Sequence, residues 1–486
     1  PFIFLSVHTA LSFVTQCNLL CYTAGFHQPA LTTTTERDLI MKRIVAVPFA
    51  LLILISLAAV ILPGEEPTKT GGPIVGGDVA WMLTATGLVL LMTPGLSFFY
   101  GGMVRQKNVI STMLQSFVAM GVISILWVVV GFSLAFGDSL GGVVGNPLTY
   151  FMFHSVSGAT HPDLSPTVPL VLFALFQLKF AIITPALITG SFAERVRFSS
   201  YILFICLFSL LIYSPLAHMT WHPDGWLRGL GVLDFAGGTV VHISAGCAAI
   251  AGALVLGRRR IHLEQQTHAP ANIPFVILGT GMLWFGWFGF NAGSALAASG
   301  QAAMAFATTN TASAAAALAW MFFDGIRGRK PSALGACIGA VVGLVAITPA
   351  AGFVSVGASI LIGTVAAIIS NLVVHSKSKS TLDDTLDVFP CHGVGGIVGM
   401  ICTGIFAREV GLVFGEVNTF IVHIFALVLV VLYTFGGSYL LYRLTDRIIP
   451  LRVSVDQEEI GLDLSQHGET ILIEQPEEFP RAVKVA

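Results

Sequence analysis

The sequence predicts an all-α polytopic membrane protein of eleven transmembrane helices, arranged as a pseudo-twofold inverted repeat of five plus five helices with one more at the end. Three observations carry this. Of 486 residues, 55% are hydrophobic and only 10% charged, with mean hydropathy +0.83. A soluble domain carries roughly 25% charged residues, so a chain this apolar needs lipid to cover it. The apolar runs are long and continuous rather than alternating segments of about ten residues, which makes the spans helices and not barrel strands. Two histidines, His242 and His392, sit inside such runs, and an ionisable side chain at membrane depth marks a path for an ion, a proton or a polar solute.

The elements follow in order. Pro1 opens the chain, and Met41-Lys42-Arg43 precedes the apolar run 44–62 and Pro63-Gly64-Glu65-Glu66-Pro67. A basic start before a short apolar run reads as a secretory signal. Residues 1–76 are therefore expected to be an upstream extension plus a signal peptide starting at Met41. Spans are expected near 79–100, 108–136, 168–192, 198–219, 235–257, 273–292, 300–323, 332–349, 353–374, 391–407 and 414–442. Each supplies about the 20 apolar residues that a bilayer core requires. Residues 78–442 form the transmembrane domain, and 443–486 read as a polar tail.

Loop charge orients the spans. Loops after odd-numbered spans hold Arg105 and Lys107; Arg195 and Arg197; Arg258, Arg259 and Arg260; Arg327, Arg329 and Lys330; Lys377 and Lys379. Loops after even-numbered spans hold only Arg228 and Arg408. Basic loops stay on the cytoplasmic side. The tail is then cytoplasmic and residue 78 outside, as after removal of a signal. Spans one to five and six to ten start on opposite sides, which is the inverted-repeat plan of many transporters.

His242 falls in the fifth span and His392 in the tenth. Asp234-Phe235 precedes one, and Asp387-Val388-Phe389 the other. Small residues recur after each, at Ala245, Gly246, Ala249 and Gly252 and at Gly395, Gly396 and Gly399. Their helical spacing puts each stripe on its histidine's face, so the two helices can cross closely. His423 lacks both features and reads as a packing residue. Two neutral imidazoles can share a proton and line a path for a small polar molecule. Metal binding is the rival reading; it wants three or four ligands, and the spans supply no such set. The seven cysteines lack ligand spacing and read as small thiols. A net charge of −2 gives no nucleic-acid footprint. Nor does a nucleophile, metal or cofactor motif lie beside the histidines, so the chain is expected to be neither an enzyme nor cofactor-dependent.

Aromatic residues gather toward the expected outer face: Trp221, the run Trp284 to Ser294, and Phe176 and Phe180 at i,i+4. Rings of this kind attract compact cations, and an interfacial aromatic belt has the same composition. Lys179, between Phe176 and Phe180, is expected to face away from any cation path.

These motifs together resemble the ammonium transporter family, in its bacterial branch. The resemblance spans roughly residues 78–470. It rests on Phe99-Tyr100-Gly101-Gly102, Ala193-Glu194-Arg195, the run Asp234 to Ile243 continuing to Leu256-Gly257-Arg258-Arg259, Gly286 to Ser294, Thr348-Pro349-Ala350, and Asp387 to Gly393. It implies a homotrimer with one pore per subunit in the inner (plasma) membrane, moving ammonium or ammonia, with methylammonium as an analogue. It implies an outer recruitment site of Trp221, Phe180 and Ser294 backed by Asp234, and a gate of Phe180 and Phe290. Phe176 and Trp287 would be secondary aromatic residues. His242 and His392 would line the pore, with Thr348 beside it. Gly461 to Glu469 resembles the family's regulatory tail, which in bacteria can meet a PII signal protein. A sensor that binds ammonium and signals through a PII-type partner is the alternative reading, although no kinase or cyclase domain accompanies the spans. Transport of neutral ammonia and transport with a relayed proton are both compatible with these residues.

Overall fold

The computed structural model describes residues 34–62, 69–266 and 269–471. The segment 1–33, most of the expected upstream extension, lies outside the described residues, as do 63–68 after the apolar run and 472–486 of the tail. A helix, α1 (Thr34–Ile61), runs through the segment read as a signal, and its apolar side chains from Val47 onward are largely exposed.

Helix occupies each of the eleven expected segments: α2 (Gly76–Met103), α3 (Gln106–Phe136), α4 (Leu170–Phe192), α5 (Phe198–Trp221, with a further helical turn at Trp226–Gly229 after a break), α6 (Gly238–Leu256), α7 (Ile273–Gly293), α8 (Gly300–Ile326), α9 (Ala333–Ile347), α10 (Val356–Lys377), α11 (Phe389–Phe406) and α12 (Val417–Ile448). Among the described residues, nine of these are long and apolar enough to cross a membrane. The other two are α8, whose Ala- and Thr-rich face is less apolar, and α9, which has only 15 residues. The helix ends are marked by ordinary chemistry. Asn272, Ser299, Ser332 and Ser355 each accept from a backbone N–H in the first turn of α7, α8, α9 and α10.

The halves α2–α6 and α7–α11 meet first helix to first helix and fifth to fifth. Where α2 meets α7, a Cβ on Gly279 would lie 2.3 Å from the Phe99 backbone nitrogen, so only glycine permits the approach. Where α6 meets α11, a Cβ on Gly246 would lie 2.3 Å from the Gly393 Cα. The expected stripes are thus partly borne out: Gly246, Gly393 and Gly396 form the crossing. Gly252 instead faces Tyr442 of α12, and Gly399 faces Ala346 of α9.

Between α3 and α4 the chain makes two small hairpins, β1 (Ser139–Leu140) with β2 (Val144–Gly145) and β3 (Thr160–His161) with β4 (Ser165–Pro169). The lead-in to α2 is pinned on the second hairpin, Gly71 N–H to Thr160 C=O at 3.0 Å and Val75 N–H to Thr167 C=O at 2.9 Å.

At the other end of the molecule, buried charges tie the loops together. Glu194 pairs with Arg105 at 2.8 Å and Arg259 at 2.9 Å, and Arg259 pairs with Asp383 at 2.9 Å. Burial alone would raise the Asp383 carboxyl; Arg195 and Arg259 outweigh it and hold it well below the usual carboxylate range. The tail folds back over these loops. Val453 N–H donates to Arg195 C=O at 3.1 Å, and Asp463 accepts from Ile110 N–H and Ser111 N–H at 3.0 and 2.8 Å.

Candidate conduction path

A cavity of about 590 Å³ opens between the β3–β4 hairpin and the ends of α4, α5 and α7. Trp221, Phe180, Ser294, Asp234 and Gln177 line it. Lys179 does not; it is half-buried on a stripe with Val171 and Leu175, turned from the cavity as its position beside Phe180 predicts. The Trp221 ring meets Phe180 edge-on at 5.8 Å, and the Phe176 ring also meets Phe180 edge-on, at 5.0 Å. Ser294 Oγ donates to Phe290 C=O at 2.9 Å, which leaves the oxygen lone pairs free to accept.

Beneath the cavity Phe180 and Phe290 lie ring on ring, centroids 4.2 Å apart, both buried. Next comes His242, 6.0 Å below Phe290, and then His392, 5.4 Å from His242. The two imidazoles face Nδ1 to Nδ1 at 3.4 Å, so one donates and the other accepts. His242 Nε2 is buried and has no hydrogen-bond partner among the described residues. Below His392 a cavity of about 10 Å³, lined by Cys391, Tyr100, Phe99 and Leu386, has room for about one water-sized molecule.

Trp287 stands deeper than its sequence position suggested. It lies over His242 at 5.4 Å, and its Nε1–H donates to Thr348 Oγ1 at 2.9 Å. Thr348 therefore reaches the column through Trp287. The signal was available: Trp287 precedes Ser294 by seven positions, two helical turns or roughly 10 Å.

Two carboxylates, Asp234 and Asp384, hold the histidine helices. Both helices begin with π-helical turns, 238–243 and 389–394. Asp234 accepts from Gly237, Gly238 and Thr239 N–H at 2.6–2.8 Å and from the Thr239 hydroxyl at 2.5 Å. It satisfies the donors a helix start leaves open and sits where a helix favours negative charge. Its backbone C=O accepts from Trp221 Nε1–H at 3.1 Å. The counterpart is Asp384, not Asp387: it accepts from Val388 and Phe389 N–H at 3.1 and 2.8 Å. Asp387 instead pairs with Lys377 at 2.6 Å. Both capping residues lie eight positions before their histidine, 234 to 242 and 384 to 392, an offset readable from the sequence.

Among the described residues no three His, Cys, Asp or Glu side chains gather as a metal site would require. The arrangement can hold a compact cation against rings, keep a bare charge out of an apolar passage, and offer imidazole nitrogens midway.

This is a polytopic helical membrane protein with an occluded path for a small polar solute. The chain matches the Ammonium Transporter Family over residues 80–471, and it belongs to that family. It is 46% identical over 404 residues to the putative ammonium transporter of Methanothermobacter thermautotrophicus, covering 81% of this chain and 98% of that one. The crystal structure of Saccharomyces cerevisiae Mep2 superposes with TM-score 0.76 at 34% identity, covering 84% of this chain and 94% of that chain. A structure titled Sensor Amt Protein superposes with TM-score 0.73 at 29% identity, covering 80% and 98%. The protein is thus a multi-pass membrane protein that transports ammonium, of the channel type and not an enzyme.

Proposed function

We propose that the chain captures ammonium in the large cavity, strips it of a proton and passes ammonia between the histidines. Trp221 and Phe180 offer ring faces to the cation, worth about 2 kcal/mol once water is shed. Ser294 offers a hydroxyl oxygen, and Asp234 fixes the Trp221 indole from behind. The Phe180–Phe290 pair closes the passage to hydrated ions. A bare cation in that apolar stretch is costly, whereas neutral ammonia is not. Potassium cannot give up a proton, which makes deprotonation the selective step.

The observation that carries this reading is the His242–His392 contact under the Phe180–Phe290 pair, with the buried Nε2 of His242 lacking a partner among the described residues. Such an atom suits a solute that brings its own donor and acceptor. The shared hydrogen between the rings supplies a relay for the proton. Phe176 braces Phe180, and Trp287, held by Thr348, braces His242.

The test is methylammonium uptake into proteoliposomes, with and without a pH gradient, for the parent, His242→Ala and His392→Ala. Uptake should fall or potassium exclusion should fail in both variants. Variants that keep parental uptake and still exclude potassium would refute the histidine role. A parent with neither uptake nor ammonium-evoked current would refute transport altogether.

The same reading assigns 78–442 to transport, 443–486 to a cytoplasmic tail, and 1–76 to an extension and signal peptide. The membrane is the inner (plasma) membrane, and the large cavity faces outward, as the basic loops require. Exposed Phe285, Phe306 and Phe322 suit lipid or the neighbouring copies of a homotrimer. The docked tail suits a PII protein as a cytoplasmic partner. The superposition on a protein titled as a sensor favours a second reading, ammonium sensing through that partner.

A further inference from the structure

The buried His423 of α12 is not on the column, yet its ring is fully engaged. Its Nδ1 lies 2.9 Å from Met400 C=O, and its Nε2 lies 3.0 Å from Leu233 N–H. A carbonyl can only accept and a backbone N–H can only donate. The ring is therefore neutral, with its hydrogen on Nδ1. Both partners sit next to the machinery. Leu233 immediately precedes Asp234 and lines the large cavity with it. Met400 is eight positions beyond His392 on α11.

The Asp234 carboxylate ties residues 237–239 to itself, but residues 232–235 have few backbone anchors beyond the bond to His423. Val232 N–H reaches Leu227 C=O at 3.1 Å, and Phe235 N–H reaches Pro349 C=O at 3.1 Å. Trp221 Nε1–H reaches Asp234 C=O. The Leu233 N–H depends on His423 alone. Without it a backbone donor loses its acceptor, and the residue beside the Asp234 cap is free to shift. Any shift moves the Asp234 carbonyl that orients Trp221, and the carboxylate that starts the His242 helix.

We infer that His423 is a positioning residue for ammonium capture: α12, which lies outside the repeat, uses one imidazole to lock the Leu233–Asp234 segment of the first half to the His392 helix of the second. This rests on the capture role proposed for Trp221 and Asp234. It also revises the expectation that His423 only packs.

Two variants separate position from packing. His423→Phe keeps a ring of similar size and removes both hydrogen bonds. His423→Gln keeps an N–H to donate to Met400 C=O and an oxygen to accept from Leu233 N–H. Methylammonium uptake into proteoliposomes is measured across concentration. Of the two, the bond to Leu233 N–H acts on the capture segment, and its loss is worth about a five- to tenfold change in binding. The Phe variant should raise the half-saturation concentration by that factor while its maximal rate stays near the parent's. The Gln variant should return to within about twofold of the parent. Parental half-saturation in the Phe variant, equal damage in both variants, or loss confined to maximal rate would each overturn the assignment. If His423→Phe fails to assemble, His423→Asn, too short to span both partners, takes its place under the same criteria. A parent that moves no methylammonium would refute transport itself, whereas a transporting parent matched by the Phe variant would refute only the positioning role.

Discussion

The glycine crossing makes the histidine contact testable without touching a histidine. In Gly246→Ala the new methyl would lie 2.3 Å from both the Cα and the N of Gly393. Carbon atoms settle about 3.5–4.0 Å apart, so the gap must open by more than about 1 Å. The obstacle is backbone, and no rotamer change can relieve it. Gly393 directly follows His392, and Gly246 lies one turn past His242. Opening the crossing by that amount carries the Nδ1 separation from 3.4 Å toward about 4.5 Å, beyond hydrogen-bond range. Overpacking of this kind costs about 1–3 kcal/mol. Gly246→Ala should therefore lower the melting temperature in detergent and abolish most methylammonium uptake in proteoliposomes. Gly281→Ala is the control: it also lies within a membrane helix, but its new methyl meets nothing within 4 Å. That change should preserve uptake and, by helix propensity, cost no stability. A Gly246→Ala protein with parental uptake would refute the argument that the crossing sets the histidine distance, as would a control that is equally damaged.

Three further outcomes follow from the same geometry. Asp384→Ala strips the acceptor from Val388 and Phe389 N–H and should reduce uptake more than Asp387→Asn does; the reverse order would restore Asp387 as the equivalent of Asp234. Asp163 lines the large cavity, and among the described residues no hydrogen bond or ion pair is made by its carboxylate, so Asp163→Asn should raise half-saturation about two- to threefold at low ionic strength. That difference should vanish at about 0.5 M salt, measured by uptake at varied sodium chloride. The depressed Asp383 carboxyl gives a pH dependence with a definite sign. Its stabilisation is complete above the unfolded carboxyl value of about 3.9 and is lost as pH falls toward the folded value below it. The melting temperature of the parent should fall on acidification through that window. Asp383→Asn should start lower at neutral pH and lose less; parallel acid limbs would refute the ion-pair account.

Much of the fold was legible because lipid imposes a simple rule on helix length and polarity. All eleven expected segments are helical, with ends displaced by a few residues. The displacements have causes. Asp234 starts its helix three residues late, at Gly238, and Asp384 starts its helix two residues early, at Phe389, by capping turns that local hydropathy cannot register. The helix α12 runs on to Ile448 because Arg443 and Arg447 are as good helix formers as the apolar residues before them. The histidine pair was legible because charge at depth is expensive, and the close approach because Gly246 and Gly396 stand on the right faces. The roles of the remaining polar residues depended on tertiary partners. Spacing shows which face Gly252 occupies but not that Tyr442 fills it. A lone histidine in an apolar helix looks the same whether it packs or bridges, and only Met400 and Leu233 reveal that His423 bridges. Asp384 is legible as the acid that stands eight positions before His392, the offset that Asp234 keeps before His242.

An inverted repeat alone would build two equal mouths, yet about 590 Å³ of space opens above the Phe180–Phe290 pair and only about 10 Å³ lies directly below His392. The difference traces to a single pair of loops. In the first half, 137–169 joins α3 to α4, and its β3–β4 hairpin supplies Asp163 to Val168 as a wall of the large cavity. The corresponding connection in the second half, α8 to α9, is only 327–332. With no such wall, the far end is covered by the loops that Glu194, Arg259 and Asp383 bind together and by the returning tail. Repeat symmetry thus explains why two histidines meet in the middle, and the unequal loops explain why the large cavity is walled at this end. Shortening the β3–β4 hairpin should therefore weaken capture while leaving the His242–His392 contact, which the repeat itself creates, in place.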